Sequence, residues 1–428
     1  MRVNSGNMSE GTVRPLLQQP NQPKPPPSAE ISNRLQNALA LHQQGQLGLA
    51  GALYQKILKQ QPDHFDALHM LGVIESQRKN FAGAILFIGR ALKLNSNYAP
   101  AHSNMGNALR ELGHHEEALA SYDHALAIKP DYAEVLSNRG NTLFELRRHE
   151  EALASYERAL AIKPDHAETL NNRGAALHQL KRHEAALASY EHALAIRPDD
   201  AEVLNNRAAA LHQLKRYEEA LASYDRALAI TPDYVEALNN RGNTLLELKW
   251  HVEALACYDR ASAIKPGSAE TLNNRGNALF GLRRHEEAIA CYERALAIKP
   301  DAAEALNNRG NALFELKRHA EALASYDNAL AIKPDYAEAL YNRGNALFEL
   351  QRYEEALASY DHALALKPDY AEALSNRGNA LHQLKRHEIA LASFDRALAI
   401  RPDYAEALHN RGNVLRDLKR HEEADRAL

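Results

Sequence analysis

The sequence predicts an all-α fold, an α-solenoid of stacked antiparallel helix pairs. Three observations carry that reading. A block of 34 residues recurs along most of the 428-residue chain: AEALNNRGNALFELKRHAEALASYDNALAIKPDY, from Ala303 to Tyr336, is followed by AEALYNRGNALFELQRYEEALASYDHALALKPDY, from Ala337 to Tyr370. Apolar residues inside each block fall at helical spacing. Pro334 and its equivalents close each block where a helix cannot continue. A period of this size marks a stacked array, because one such unit cannot bury its apolar face alone.

In chain order, residues 1–30 come first. The run QQPNQPKPPPSAE places Pro20, Pro23, Pro25, Pro26 and Pro27 among almost no apolar residues, so the segment is expected to be disordered or extended. PNQP fits the loose PxxP pattern of SH3 ligands, and a plain disordered leader is the preferred reading. The repeat region is then 31–428, with repeat starts at Ile31, Phe65, Ala99, Ala133, Ala167, Ala201, Val235, Ala269, Ala303, Ala337, Ala371 and Ala405. Eleven repeats are complete, and the twelfth stops at its twenty-fourth residue, Leu428.

Within Ala303 to Tyr336, Leu306, Gly310, Leu313 and Leu316 form the stripe of a first helix. It ends near Lys317 and Arg318, where cations suit a helix C-terminus. A second helix, over residues 320–332, carries Ala322, Leu323, Tyr326, Ala329 and Leu330 inward. A glycine in a helix interior costs about 1 kcal/mol against alanine. Its recurrence at position 8, with Ala38 and Ala208 the small exceptions, therefore has a packing reason: two helices cross there closely.

Composition narrows the function classes. A net charge of −4 and a pI near 6.6 argue against a general nucleic-acid or anionic-membrane binder. No apolar run is long enough to span a membrane, and the N-terminus lacks the apolar core of a secretory signal. Cys257 and Cys291 are equivalent residues of adjacent repeats, too far apart for a disulfide. They are read as small, partly buried residues of a cytoplasmic protein.

The repeat pattern resembles the tetratricopeptide repeat. Position 20 is Ala in every copy, and position 24 is Tyr in nine, from Tyr54 to Tyr360, with Phe394, Ile88 and Leu428 elsewhere. Position 32 is Pro in ten of the eleven complete copies, Ser96 being the exception. The resemblance covers residues 31–428. It implies a right-handed superhelix whose first helices line a concave groove while the second helices cover the convex side. Position 7, usually Leu in that family, is here Arg in nine consecutive repeats, from Arg139 to Arg411. A buried unpaired guanidinium is too costly, so these side chains are expected to pack their stems between repeats and pair their heads, a partner-binding ladder being the lesser alternative.

If first helices line the groove, positions 2, 5, 6, 9, 12 and 13 face inward, which in the type repeat are Glu304, Asn307, Asn308, Asn311, Phe314 and Glu315. Position 6 is Asn104, Asn138, Asn172, Asn206, Asn240, Asn274, Asn308, Asn342, Asn376 and Asn410; position 9 adds Asn141, Asn243, Asn277, Asn311, Asn345 and Asn379. An amide both donates and accepts, so a ladder of Asn can hold an extended peptide backbone whatever its side chains. The plainer reading is that Asn caps and links neighbouring helices. The ladder is preferred here because inward amides would be idle without a ligand. A similar ladder occurs in the repeat arm of O-linked N-acetylglucosamine transferases, and APAHSNMGNALRELG, from Ala99 to Gly113, resembles that style. That likeness implies a substrate-binding arm whose catalytic domain is absent from this chain.

Other chemistry is set aside. Position 17 is His in eight repeats, at a spacing that forms no H-x3-H cluster, so a solvated or packing role is preferred to a metal site. Ser at position 23 recurs too regularly to be one nucleophile, and no phosphate-cradling Gly loop occurs. No catalytic residue, cofactor or metal is assigned. Glu at positions 2 and 13 makes the groove acidic, which disfavours acidic tails and favours neutral or basic segments. The expected function is a non-enzymatic scaffold that binds another protein's extended segment, with no nucleic acid and no membrane as partner. Self-association through the uncapped last half-helix is a further expectation.

Overall fold

The computed structural model describes residues 27–420 and residue 423. Over these, twenty-three helices run from α1 (Pro27–Gln43) to α23 (Ala405–Asp417), and no strand occurs. The chain divides after Pro164 into two compact units. The first holds α1 to α8 (His149–Ile162), and the second begins with α9 (Ala167–Gln179). In each unit every helix packs on the one before it, so both are stacks of antiparallel pairs, an α-solenoid. Helix α1 begins four residues ahead of the expected repeat boundary at 31. The rest of the proline-rich leader and, apart from residue 423, the half-helix on which self-association was expected lie outside the described residues.

The type repeat shows how its residues make the pair, α17 (Ala303–Glu315) and α18 (His319–Ile332). The first helix ends in a Schellman cap: the Lys317 amide donates to the Phe314 carbonyl at 2.8 Å, and the Arg318 amide to Leu313 at 2.9 Å. That cap needs a left-handed residue, and Lys317 takes φ of 59°. Position 15 is left-handed at a non-glycine residue in ten repeats, whereas Gly45 and Gly113 fill it in two others. On the inner faces, Leu306, Ala312, Leu313, Ala322, Tyr326 and Ala329 are all buried. Gly310 lets the Tyr326 ring lie directly on the first helix, as the sequence suggests.

The position-7 arginines do pair their heads, and they staple repeats together. Arg309 donates through Nη1 to Ser325 Oγ of its own repeat at 2.8 Å and through Nη2 to Glu293 of the preceding repeat at 2.9 Å. Arg241 and Arg275 do the same to Asp225 and Asp259, with the buried, free Cys257 and Cys291 in place of Ser as acceptors. Ser325 in turn donates to the Glu321 carbonyl four residues back, which satisfies its hydroxyl completely. Half-exposed pairs of this kind contribute about 0.2–1 kcal/mol each. Their larger effect is to pin each repeat's rotation on its neighbour, because the guanidinium fork must meet both partners at once.

Candidate functional site

All sixteen predicted asparagines are half-buried on first helices. Their amides are not idle, contrary to the expectation that favoured a ligand. Asn342 Nδ2 donates to both Asn307 and Asn311 of the preceding repeat at 3.0 Å. Asn308 repeats this with Asn273 and Asn277, and Asn376 with Asn345 at 2.9 Å and the Tyr341 hydroxyl at 3.2 Å. The Tyr326 hydroxyl converges on the same Asn311 Oδ1 at 2.9 Å, as Tyr360 does on Asn345. The plainer reading of Asn as a link between repeats thus holds for Asn308, Asn342 and Asn376. Further side-chain bonds run within a repeat: Asn273 Nδ2 donates to Asn274 Oδ1 at 3.4 Å, and the Asn345 amide also bonds the Tyr341 hydroxyl.

Position 5 departs from the inward set. Asn307 is fully buried and Asn205 is 1% exposed, so this residue belongs to the seam between repeats. Asn205 Nδ2 reaches Glu236 of the next repeat at 3.1 Å. A helix presents only a narrow arc to a groove once its flanks touch both neighbours, and position 5 lies on a flank.

Two equivalent clefts, one repeat apart, open in the second unit. One, of about 230 Å³, is lined by Phe280, Asn311, Phe314, Glu315, Tyr326, Glu338, Asn342 and Asn345. The next, of about 280 Å³, is lined by Phe314, Asn345, Phe348, Glu349, Tyr360, Asn376, Asn379 and Glu406. Position-12 rings form the walls, and each is braced edge-on by the position-17 ring: Phe280 by His285 at 5.2 Å, Phe314 by His319 at 4.9 Å, Phe348 by Tyr353 at 5.3 Å. His285 and His319 thus pack as rings against the cleft walls. Among the described residues, no cation pairs with Glu315, Glu338, Glu349 or Glu406, all exposed, whereas Asp327 and Glu321 are held by arginines.

Burial pushes the pKa of Tyr326 and Tyr360 up, so both remain neutral donors to Asn311 and Asn345. Asn107 belongs to the same network but falls outside the sixteen; it accepts from Tyr122 at 2.8 Å and from Asn138 at 3.0 Å. Its place at position 9 was the available signal. The absence of an H-x3-H spacing also concealed one cluster, since His382, His387 and Asp417 meet across three helices.

Models described as tetratricopeptide repeat match residues 131–199, 233–301 and 369–428, 35–100 and 273–337, and 189–222 and 325–358. A model described as TPR repeat matches residues 106–147, 210–249 and 344–385. No curated protein matches the chain. Among solved structures, the crystal structure of the APC/C hetero-tetramer Cut9–Hcn1 contains a chain similar to this one at 14% identity. That match has a TM-score of 0.52 and covers 91% of this chain and 96% of the other. A tetratricopeptide repeat protein from Parabacteroides merdae matches at 19% identity and a TM-score of 0.48, over 58% of this chain and 98% of that one. YrrB, titled a TPR protein with an unusual peptide-binding site, matches at 25% identity and a TM-score of 0.37, over 44% and 96%. The Cut9–Hcn1 likeness shows the same fold, and the models find the same repeat from one end of the array to the other. The chain belongs to the tetratricopeptide repeat family.

Proposed function

We propose that the chain is a non-enzymatic scaffold whose groove seats an extended, basic or neutral segment of another protein. Membership of the repeat family supports a protein-interaction scaffold. The observation that carries the finer reading is the pair of equivalent clefts, each with two phenylalanine walls, asparagine amides and carboxylates that no cation holds. A lysine or arginine stem fits between Phe280 and Phe314, with its head toward Glu315 and Glu338. Cation–π contact adds about 0.5–2 kcal/mol to such an arrangement. Asn311 and Asn345 line the clefts, where their amides would lie beside the peptide backbone.

The links described above decide which variant tests this. Replacing Asn342 or Asn311 with Ala would also loosen the stack, and loss of Asn311 would orphan the Tyr326 hydroxyl. Glu315→Gln with Glu349→Gln leaves the packing in place. Fluorescence anisotropy against arginine-containing and aspartate-containing peptides of equal length should show a preference for the basic set. In the double variant that preference should fall about tenfold, with a weaker salt dependence. Equal affinity of the parent chain for both peptide sets would sink the reading. The repeat arm of a protein glycosyltransferase is the alternative, resting on the Asn pattern, and the reading frame beyond Leu428 distinguishes it.

A further inference from the structure

We infer that His382, His387 and Asp417 form a binding site for a divalent transition-metal ion of the zinc class. His382 lies in the last turn of α21 (Ala371–Gln383), His387 opens α22 (His387–Ile400), and Asp417 closes α23. One donor atom from each lies within 4.8 Å of the other two. His382 Nε2 and Asp417 Oδ2 are already 2.8 Å apart, and the two imidazoles meet edge to face at 5.3 Å.

Zinc binds imidazole nitrogen and carboxylate oxygen at about 2.0–2.2 Å, which places tetrahedral ligand atoms roughly 3.3 Å apart. Closing the cluster therefore needs side-chain movements of about 1.5 Å at most. His382 and Asp417 keep 23% and 49% of their side-chain surface, so both can rotate to meet an ion. Two imidazoles and one carboxylate are the mixed set that suits zinc, cobalt and nickel, and poorly suits calcium or magnesium. Three protein ligands leave a fourth position open to water or to a donor from a partner.

The array contains its own control. His178 and His183 occupy the same two positions of repeat 167–200, with rings 4.9 Å apart, yet Gln213 stands where Asp417 does. In the next repeat His212 is followed by Glu247 at the acidic position, but Tyr217 replaces the second imidazole. Among the described residues all three donors coincide once. His387 belongs to the recurrent position-17 series; what sets this place apart is that Asp417 of the next repeat stands beside both imidazoles.

The test uses the full chain without a histidine tag, with cobalt(II) followed by its visible absorption and zinc(II) by calorimetry. One saturable site is expected. Its affinity should fall at least about tenfold in His387→Ala and in Asp417→Asn, and should be unchanged in His178→Ala. Far-ultraviolet circular dichroism confirms that the variants keep their helices. Absence of a saturable site overturns the assignment. So does a site that persists in both His387→Ala and Asp417→Asn, or one lost equally in His178→Ala.

Discussion

A Cβ added to Gly310 would stand 2.5 Å from Cε1 of Tyr326, closer than packed atoms approach. The tyrosine cannot simply withdraw, because its hydroxyl is tied to Asn311. Helix propensity favours Ala over Gly by about 1 kcal/mol, while overpacking a core costs about 1–3 kcal/mol. Gly310→Ala is therefore expected to destabilise by roughly 1–2 kcal/mol, read as a shift in urea midpoint. Repeat 201–234 has Ala208 beside Tyr224, and there position 9 is Ala209, so no asparagine tethers the ring. Asn311→Ala on top of Gly310→Ala should accordingly cost less than the sum of the single changes. Strict additivity in the double-mutant cycle would show that the tether is irrelevant.

At the scale of the helix, the recurrent cost is the Schellman cap. Lys317, Lys215, Lys249 and Lys385 hold φ near 60°, where a Cβ meets the following carbonyl. A left-handed residue costs roughly 1–2 kcal/mol, and glycine gives back about 0.5–1 kcal/mol through its freedom in the unfolded chain. Lys317→Gly should stabilise by about 0.5–1 kcal/mol net, and Gly45 and Gly113 show that the cap accepts glycine. Lys249→Gly and Lys317→Gly lie two repeats apart and should add in thermal melts. A lower melting temperature for either single variant would contradict this account of the cap.

At the scale of the molecule, the buried tyrosines set its response to alkali. Burial, first, and the charge of Asp66, second, push Tyr54 up to about 12, and burial raises Tyr122, Tyr190, Tyr258, Tyr292 and Tyr360 as well. An unfolded tyrosine titrates near pH 10. Above that pH the unfolded chain loses protons that the folded chain retains, so stability falls as pH rises from about 10 toward the folded values. Ultraviolet tyrosinate absorbance should therefore lag the exposed-tyrosine curve and rise steeply together with loss of helical circular dichroism. Full ionisation near pH 10 with the helices intact would contradict the buried hydroxyl network.

The period of 34, the small residue at position 8, the ring at position 24 and the closing proline all act within one repeat. That is why the helix pairs, their boundaries and the family could be read from the sequence alone. The pairing of the position-7 arginines was readable on the same footing, because a buried guanidinium must find partners. The other links between repeats were not readable. Asn307 and Asn308 are adjacent in sequence, yet one is sealed in the seam and the other is only half-buried. A helical wheel records the angle of a side chain but not the distance to the next helix, and that distance separates linking amides from presenting ones. The same holds for His382, His387 and Asp417, whose separations of 5 and 30 residues become a cluster only when three helices pack. Local spacing determined the helix pair, and the packing of one pair on the next decided what the array has left to offer a partner.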